Sequence, residues 1–299
     1  MTDIRQACPE QRRRAAIDLY DRYTHEGMDR RAFMTELTRI AGSAAAASAL
    51  LAGIAASPAA AALTQAADPR LTARRESWAL PGGRKMSGYV ASPRTGRGRR
   101  ASVMVIHENR GLNAHIEDVT RRVALAGYHA VAPDFLSSLG GTPPDEHAAR
   151  DLIGKLDLAQ ATADGVATLS ELKRRRTGNG KAGAVGFCWG GAMVNRLAVN
   201  AGAALDAGVP YYGTAPAPAE AARVQAPLLI HLASLDARVN ATALPWGEAL
   251  KAAGKDVLVI NHQGANHAFN NDTSAERYDK AAADEAWTQT LAFFKARLA

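Results

Sequence analysis

At residues 184–193 the sequence reads Ala-Val-Gly-Phe-Cys-Trp-Gly-Gly-Ala-Met, an apolar strand-like run that passes through a glycine-flanked turn into a helix-like segment. The turn has the form G-x-C-x-G, which is the G-x-S-x-G nucleophile turn with sulfur in place of oxygen. Small residues on both sides permit a sharp corner, and the N-terminus of the following helix stabilises a thiolate. Cys188 is therefore the candidate nucleophile. The alternative is a buried structural cysteine.

The pattern around this turn predicts an α/β protein with a mostly parallel central sheet. Short apolar runs alternate with amphipathic stretches, an order that favours strands covered by helices on both faces. A polar connector is predicted at 63–74, and Pro81-Gly82-Gly83 followed by 87–91 predicts a hairpin of two early strands. The later predicted strands are 101–106, 128–132, 182–187, 207–212, 227–233 and 256–261. The predicted helices are 116–126, 145–156, 159–173, 190–200, 241–253 and 278–298.

Two further residues complete a candidate catalytic triad. In α/β-hydrolases the chain order is nucleophile, acid, histidine, with the last two in loops after later strands. Asp236 follows the strand 227–233, and His267 lies in a small-residue turn after the strand 256–261. The alternatives are a helix N-cap for Asp236 and a loop histidine without a role for His267. We interpret His231 and His262 as structural.

The sequence resembles the dienelactone hydrolases, a carboxymethylenebutenolidase-like family with the α/β-hydrolase fold. The resemblance runs from about Ala101 to the C-terminus and rests on residues 186–191, the loops of Asp236 and His267, and three shorter stretches. These are Tyr211-Tyr212-Gly213, the seven residues 105–111 (Val-Ile-His-Glu-Asn-Arg-Gly), and Ala132-Pro133-Asp134.

The resemblance also implies roles for three residues near the nucleophile. Glu108 would pair with a neutral resting cysteine until substrate displaces it. The backbone N–H groups of Asn109 and Trp189 would form the oxyanion hole. The Trp189 ring either lines the pocket or packs beneath the turn.

The expected activity is hydrolysis of a lactone or small carboxylic ester. Family members that act on dienelactone bind its carboxylate with two arginines, and neither is present, because the first region reads Pro-Asp-Phe-Leu-Ser-Ser at 133–138 and the second position is Asn271. A neutral ester or lactone is therefore at least as good a candidate as an acid-substituted butenolide. Gly111 breaks the H-E-x-x-H zinc motif that begins at His107, and we expect no metal or organic cofactor. The alternative function is a catalytically weak small-ligand-binding protein with the same fold.

Residues 1–62 are predicted to be an export signal, leaving 63–299 as a single domain. Asp29-Arg30-Arg31-Ala32-Phe33-Met34 resembles a twin-arginine signal, and the uncharged, alanine-rich stretch 40–62 ends in a signal-peptidase-like site. We expect recognition by the twin-arginine export machinery, cleavage near Ala62, and a periplasmic or extracellular protein. An uncleaved anchor and a packed alanine-rich helix remain alternatives, as do starts at Met1 and Met28.

Charge and cysteine content exclude several classes of protein. The formal net charge is +7, but 36 basic residues are mixed with 29 acidic ones, so no nucleic-acid partner is expected. The basic runs 97–100 and 173–176 leave polyanion binding as a third hypothesis. With only two cysteines, Cys8 and Cys188, neither a disulfide scaffold nor a four-cysteine zinc site can form. The sequence leaves the oligomeric state open.

Overall fold

The computed structural model describes residues 8–55, 63–95 and 98–299. The chain divides into two compact units, a helical unit of residues 1–61 with 265–283 and a sheet unit of residues 62–264 with 284–299. The first helices are α1 (Pro9–His25), α2 (Arg30–Ala41) and α3 (Ala44–Ile54). The strands are β1 (Leu71–Ala79), β2 (Lys85–Pro93), β3 (Arg100–Ile106), β4 (His129–Pro133), β5 (Gly178–Phe187), β6 (Ala207–Tyr211), β7 (Leu228–Ala233) and β8 (Val257–His262). The later helices are α4 (Ala114–Leu125), α5 (Glu146–Ile153), α6 (Leu158–Arg174), α7 (Trp189–Asn200), α8 (Ala237–Ala252) and α9 (Lys280–Arg297).

The sheet unit is built on one eight-stranded sheet with the order β1-β2-β4-β3-β5-β6-β7-β8. β1 pairs antiparallel with β2, and β2 antiparallel with β4. From β4 to β8 all neighbours are parallel. The central strands β3 and β6, and β5 from Ala182 onward, are almost wholly buried, as expected for parallel strands covered by helices. The predicted α/β architecture is therefore present, and its parallel strands end along one edge.

Three predicted boundaries in the sheet unit were wrong by four residues, and one of them is the start of β5, which lies at Gly178 rather than at 182. Residues 71–74 belong to β1 rather than to a connector, because this edge strand alternates buried and exposed positions and carries charged side chains. α8 begins at Ala237 rather than at 241, because Asp236 caps it: Asp236 Oδ1 accepts a hydrogen bond from the backbone N–H of Val239 at 3.0 Å.

The helical unit has its own apolar cluster. Apolar side chains of α1, α2 and α3 are buried together. α2 is capped by Asp29 at its start. Gly42 follows its last residue, and its φ of 86° lies in the left-handed region that favours glycine. α3 is helical, with Ala47 and Ile54 buried and its other residues exposed or half-buried. Met1 and Ala62 lie outside the described residues, and export with cleavage stays a prediction.

Within the described ranges, no single helix is long and apolar enough to cross a membrane. α2 and α3 would reach that length and apolarity together, but they are bent by 106° relative to each other.

Candidate active site

Cys188 occupies a strained turn between β5 and α7. Its φ of 55° and ψ of −113° lie in a region that non-glycine residues rarely adopt. The Cys188 N–H donates to the carbonyl oxygen of Tyr211 at 3.1 Å, which ties the turn to the end of β6. The residue is 6% exposed. The predicted nucleophile turn thus has the backbone conformation that lifts a side chain above the carboxyl edge of a sheet.

Glycines allow the close backbone packing around this turn. A Cβ on Gly186 would lie 2.2 Å from the carbonyl oxygen of Gly190, and one on Gly190 would lie 2.3 Å from that of Ile106. A Cβ on Gly191 would meet the carbonyl oxygen of Tyr211 at 2.4 Å. Real Cβ atoms do not approach backbone oxygens so closely, so these glycines set the depth at which α7 starts against β3 and β6.

Glu108 lies beside Cys188 in strand order. β3 and β5 are parallel neighbours, and Ile106 is paired in register with Gly186. Glu108 and Cys188 each follow this pair by two residues, at the same edge of the sheet. Glu108 is buried, at 6% exposed. The position agrees with the pairing that the sequence resemblance implies.

His107 holds the loop after β3 in place as a neutral ring. Its Nδ1–H donates to the carbonyl oxygen of Glu108 at 2.7 Å, while Nε2 accepts from the N–H of Phe135 at 3.2 Å. Burial lowers the pKa of His107, which favours this neutral form. The ring stacks on Trp189, with centroids 5.2 Å apart and planes at 10°. Trp189 thus packs beside the turn while remaining half-buried.

Asp236 is buried in the turn after β7 and caps α8, so the structural alternative for this residue is observed. The cap engages Oδ1. A carboxylate has a second oxygen and can accept several hydrogen bonds, so capping and orientation of a histidine are compatible roles.

His267 lies in the helical unit, in the segment 265–283 that follows β8. It is 2% exposed. The backbone folds tightly around it, with Ala268 at a φ of 64° and the N–H of Phe269 donating to the carbonyl oxygen of Asn266 at 3.2 Å. The ring of His267 lies against the ring of His25, with centroids 5.0 Å apart. Sequence reasoning missed His25, because it assigned α1 to a leader.

His231 and His262 belong to a buried hydrogen-bonded chain behind β6. His231 Nδ1 lies 3.1 Å from His262 Nε2, and His231 Nε2 lies 3.3 Å from the Thr290 hydroxyl, which is 2.7 Å from the hydroxyl of Tyr211. Burial, with a smaller contribution from His262, lowers the pKa of His231 to about 3. Burial also raises the pKa of Tyr211. The rings of His231 and Tyr211 are therefore both neutral. They pack at β6, and the carbonyl oxygen of its last residue, Tyr211, accepts the hydrogen bond from the N–H of Cys188.

Arg110, a cation that could bind a substrate carboxylate, is paired within the sheet unit. Arg110 is 9% exposed, and its Nη1 lies 2.5 Å from Glu146 Oε2. The basic run 173–176 is also partly neutralised: Lys173 pairs with Asp206 at 2.8 Å, and Arg174 with Glu171 at 3.1 Å. Arg97 of the other basic run lies outside the described residues.

A profile of the dienelactone hydrolase family matches residues 86–298. The chain belongs to this family. Protein usf of Aquifex pyrophilus is 34% identical over 226 residues, which cover 71% of this chain and 94% of that protein. The putative carboxymethylenebutenolidase of Escherichia coli O157:H7 is 31% identical, over 81% of this chain and 93% of the relative. The crystal structure of a putative dienelactone hydrolase from Klebsiella pneumoniae has a TM-score of 0.67 at 29% identity, covering 75% of this chain and 99% of that one.

These comparisons confirm the predicted family and the predicted α/β-hydrolase fold. They also confirm that the protein is a hydrolase of the dienelactone hydrolase type. The matched residues include Glu108, Cys188, Asp236 and His267, whereas α1, α2 and α3 precede them.

Proposed function

We propose that the protein hydrolyses a neutral carboxylic ester or lactone through an acyl-enzyme formed on Cys188. The observation that carries the proposal is the strained backbone of Cys188 between β5 and α7, at the carboxyl edge of the sheet. Strain of this kind persists only where the surrounding structure enforces it, and the glycine contacts of the turn supply that enforcement. Membership of a hydrolase family supports the same conclusion.

The reaction begins with attack by Cys188 Sγ on the substrate carbonyl carbon, and the thiol proton passes to His267. Asp236 orients His267, which is the role of the acid in a triad with the chain order nucleophile, acid, histidine. The backbone N–H groups of Asn109 and Trp189 bind the oxyanion, and the turns that carry them follow β3 and β5.

The intermediate then loses its alkoxide, which takes the proton back from His267. Water attacks the thioester carbon as His267 accepts one water proton. The bond from that carbon to Cys188 Sγ then breaks, the acid leaves, and the proton on His267 passes to the sulfur to regenerate the thiol. In a lactone the alkoxide stays attached to the acyl group, so the product is a single hydroxy acid.

Glu108 holds the resting thiol in this proposal. Its buried position two residues beyond the pair of Ile106 with Gly186 supports that role. The thiolate is the reactive form of cysteine, so a partner that holds the neutral thiol protects the nucleophile until a substrate separates the two groups.

The neutral substrate is supported by the partners of Arg110 and Asn271. Arg110 pairs with Glu146, and Asn271, which stands where family members carry a second arginine, accepts hydrogen bonds from the N–H and hydroxyl of Thr273 at 3.0 and 2.6 Å. Neither position offers an uncompensated cation to a substrate carboxylate.

Acid-quench trapping with a chromogenic acetate ester tests the proposal on the full chain. We expect a burst of released alcohol and one acetyl group on the peptide that contains Cys188. Cys188→Ala should lose both, while His147→Ala, an exposed histidine on α5, should keep both. Turnover retained in Cys188→Ala would overturn the proposal. Ester binding without turnover, with equal affinity in Cys188→Ala, would favour the small-ligand-binding alternative.

A further inference from the structure

The ring of His25, the last residue of α1, lies against the ring of His267. Their centroids are 5.0 Å apart and their planes meet at 72°, an edge-to-face arrangement. Such arrangements are favourable because the positive edge of one ring meets the electron-rich face of the other. Both residues belong to the helical unit.

The ring of His25 is itself held by the last turn of α1. Its Nδ1 lies 2.8 Å from the carbonyl oxygen of Asp21 and 2.9 Å from the hydroxyl of Thr24. That hydroxyl lies 2.9 Å from the carbonyl oxygen of Tyr20, to which it donates. Helix C-terminal carbonyls lack intrahelical partners, so a histidine N–H is a suitable donor here. His25 therefore presents a fixed face to His267.

Buried polar contacts fasten the His267 segment to the end of α3. The carbonyl oxygen of Ile54 accepts from the hydroxyl of Ser274 at 2.6 Å and from Arg277 Nε at 3.0 Å. The N–H of Glu276 donates to the carbonyl oxygen of Gly53 at 3.0 Å. These donors satisfy carbonyls that a helix end leaves open.

A second set of contacts joins the same segment to α1. Arg13 Nε lies 3.1 Å from Glu276 Oε2, and the guanidinium of Arg277 lies over the ring of Tyr20 at 5.1 Å. Residues that precede His25 in the sequence and residues that follow it thus both contact the segment that carries His267.

We propose that His25 is a positioning residue for His267, so that α1 is a working part of the enzyme. The inference rests on the proposed role of His267 as general base. His267 must accept a proton first from Cys188 and then from water. Both proton transfers become slower when its ring can rotate away from the required orientation. The proposal requires residues 9–54 to stay on the enzyme, whereas cleavage near Ala62 would remove His25.

Kinetics of full-length variants test the proposal. We expect His25→Ala to lower kcat for the chromogenic ester about 10-fold with KM within about twofold, because ring orientation affects the chemical steps rather than binding. His25→Phe keeps a planar ring at the contact and should recover kcat to within about threefold of wild type. His147→Ala is the matched control and should change neither constant. Unchanged kcat in both His25 variants would overturn the proposal.

Imidazole NMR spectra of the same proteins give a readout that needs no turnover. The His267 ring signals, assigned with His267→Gln, should shift in His25→Ala and stay in place in His147→Ala. Unshifted signals would refute the ring contact. If wild type showed no acyl-enzyme while these signals shifted as expected, the proposed function would fail and the positioning contact would stand. If His25→Ala failed to fold, the His267 ring signals of His25→Phe would decide, because replacing the imidazole with a phenyl ring shifts them only if the two rings are in contact.

Discussion

The turn at Cys188 and the segment around His267 are held by different kinds of interaction. The turn is fixed by backbone atoms: a positive φ, three glycine contacts and the hydrogen bond from Cys188 N–H to Tyr211. The His267 segment is fixed largely by side chains, among them Ser274 and Arg277, and their partners lie more than 200 residues earlier in the chain. The nucleophile turn is therefore specified by the ten consecutive residues 184–193, whereas the segment around His267 depends on a distant part of the chain.

The largest expected effect comes from Asp236→Asn, which tests whether the two regions act as one triad. Asparagine caps a helix about as well as aspartate, so the free energy of unfolding should change by less than about 0.5 kcal/mol. An amide cannot stabilise the imidazolium of His267, so kcat should fall by about 10³–10⁴-fold. Stopped-flow ester hydrolysis and urea unfolding measure the two quantities. An intact kcat would show that Asp236 is only a cap.

Gly190→Ala tests whether backbone contacts hold the turn at Cys188. Its Cβ would lie 2.3 Å from the carbonyl oxygen of Ile106 and 2.6 Å from that of His107, and backbone atoms cannot move aside as a flexible side chain can. We expect the free energy of unfolding to fall by about 3 kcal/mol or more, which is at the upper end for overpacked sites. Gly154→Ala is the matched control, because its Cβ would meet nothing closer than 3.6 Å. Equal stability of the two variants would contradict the backbone-built turn.

The sequence predicted the turn well because its signals are local. Cys188, its flanking glycines and the strand before it lie within one short run, and the observed bounds of β5 and α7 contain or closely match the predicted ones. The first four residues of β1, 71–74, were assigned to a connector because the charged side chains of an edge strand hide its period of two. The role of Asp236 stayed open because a helix cap and a catalytic acid occupy the same kind of position after a strand.

The contact of His25 with His267 had no signal in the sequence. It joins residues about 240 positions apart, and nothing in the amino acids around His25 distinguishes it from other histidines at helix ends. The arginine pair and alanine-rich stretch at 30–62 favoured a leader instead. Such a contact depends on how separate elements pack, which periodicity and capping signals do not encode.

Acid is expected to lower the free energy of unfolding of the protein through His129 in the sheet unit. His129 at the start of β4 accepts from Arg175 Nη1 at 2.6 Å, and burial, with Arg175 and Arg74, lowers its pKa to about 4. The unfolded state, with a pKa near 6.5, then binds more protons than the folded state. Stability is therefore full above about pH 6.5 and falls as the pH drops toward about 4.

The expected loss of unfolding free energy through His129 is at most about 3.5 kcal/mol over that interval, because lowering a pKa by 1 corresponds to about 1.4 kcal/mol. Urea unfolding at several pH values measures it. His129→Gln cannot ionise and should show a shallower dependence, whereas the exposed control His147→Gln should follow wild type. An unchanged slope in His129→Gln would show that other groups govern acid unfolding.

Arg277→Lys has the smallest expected effect and separates the two regions most directly. Lysine keeps the positive charge but replaces the planar fork that reaches Ile54 and Ser274 with a single point of donation. Loss of one buried hydrogen bond to the Ile54 carbonyl should lower protection of backbone amides in 265–283 by about 1–2 kcal/mol in hydrogen exchange. Amides of 186–192 should keep their protection, because backbone contacts hold that turn. The control is Arg223→Lys, an exposed arginine that pairs with Glu220. Equal loss of protection in both regions would mean that they open together, and the distinction between a backbone-built and a side-chain-built region would then fail.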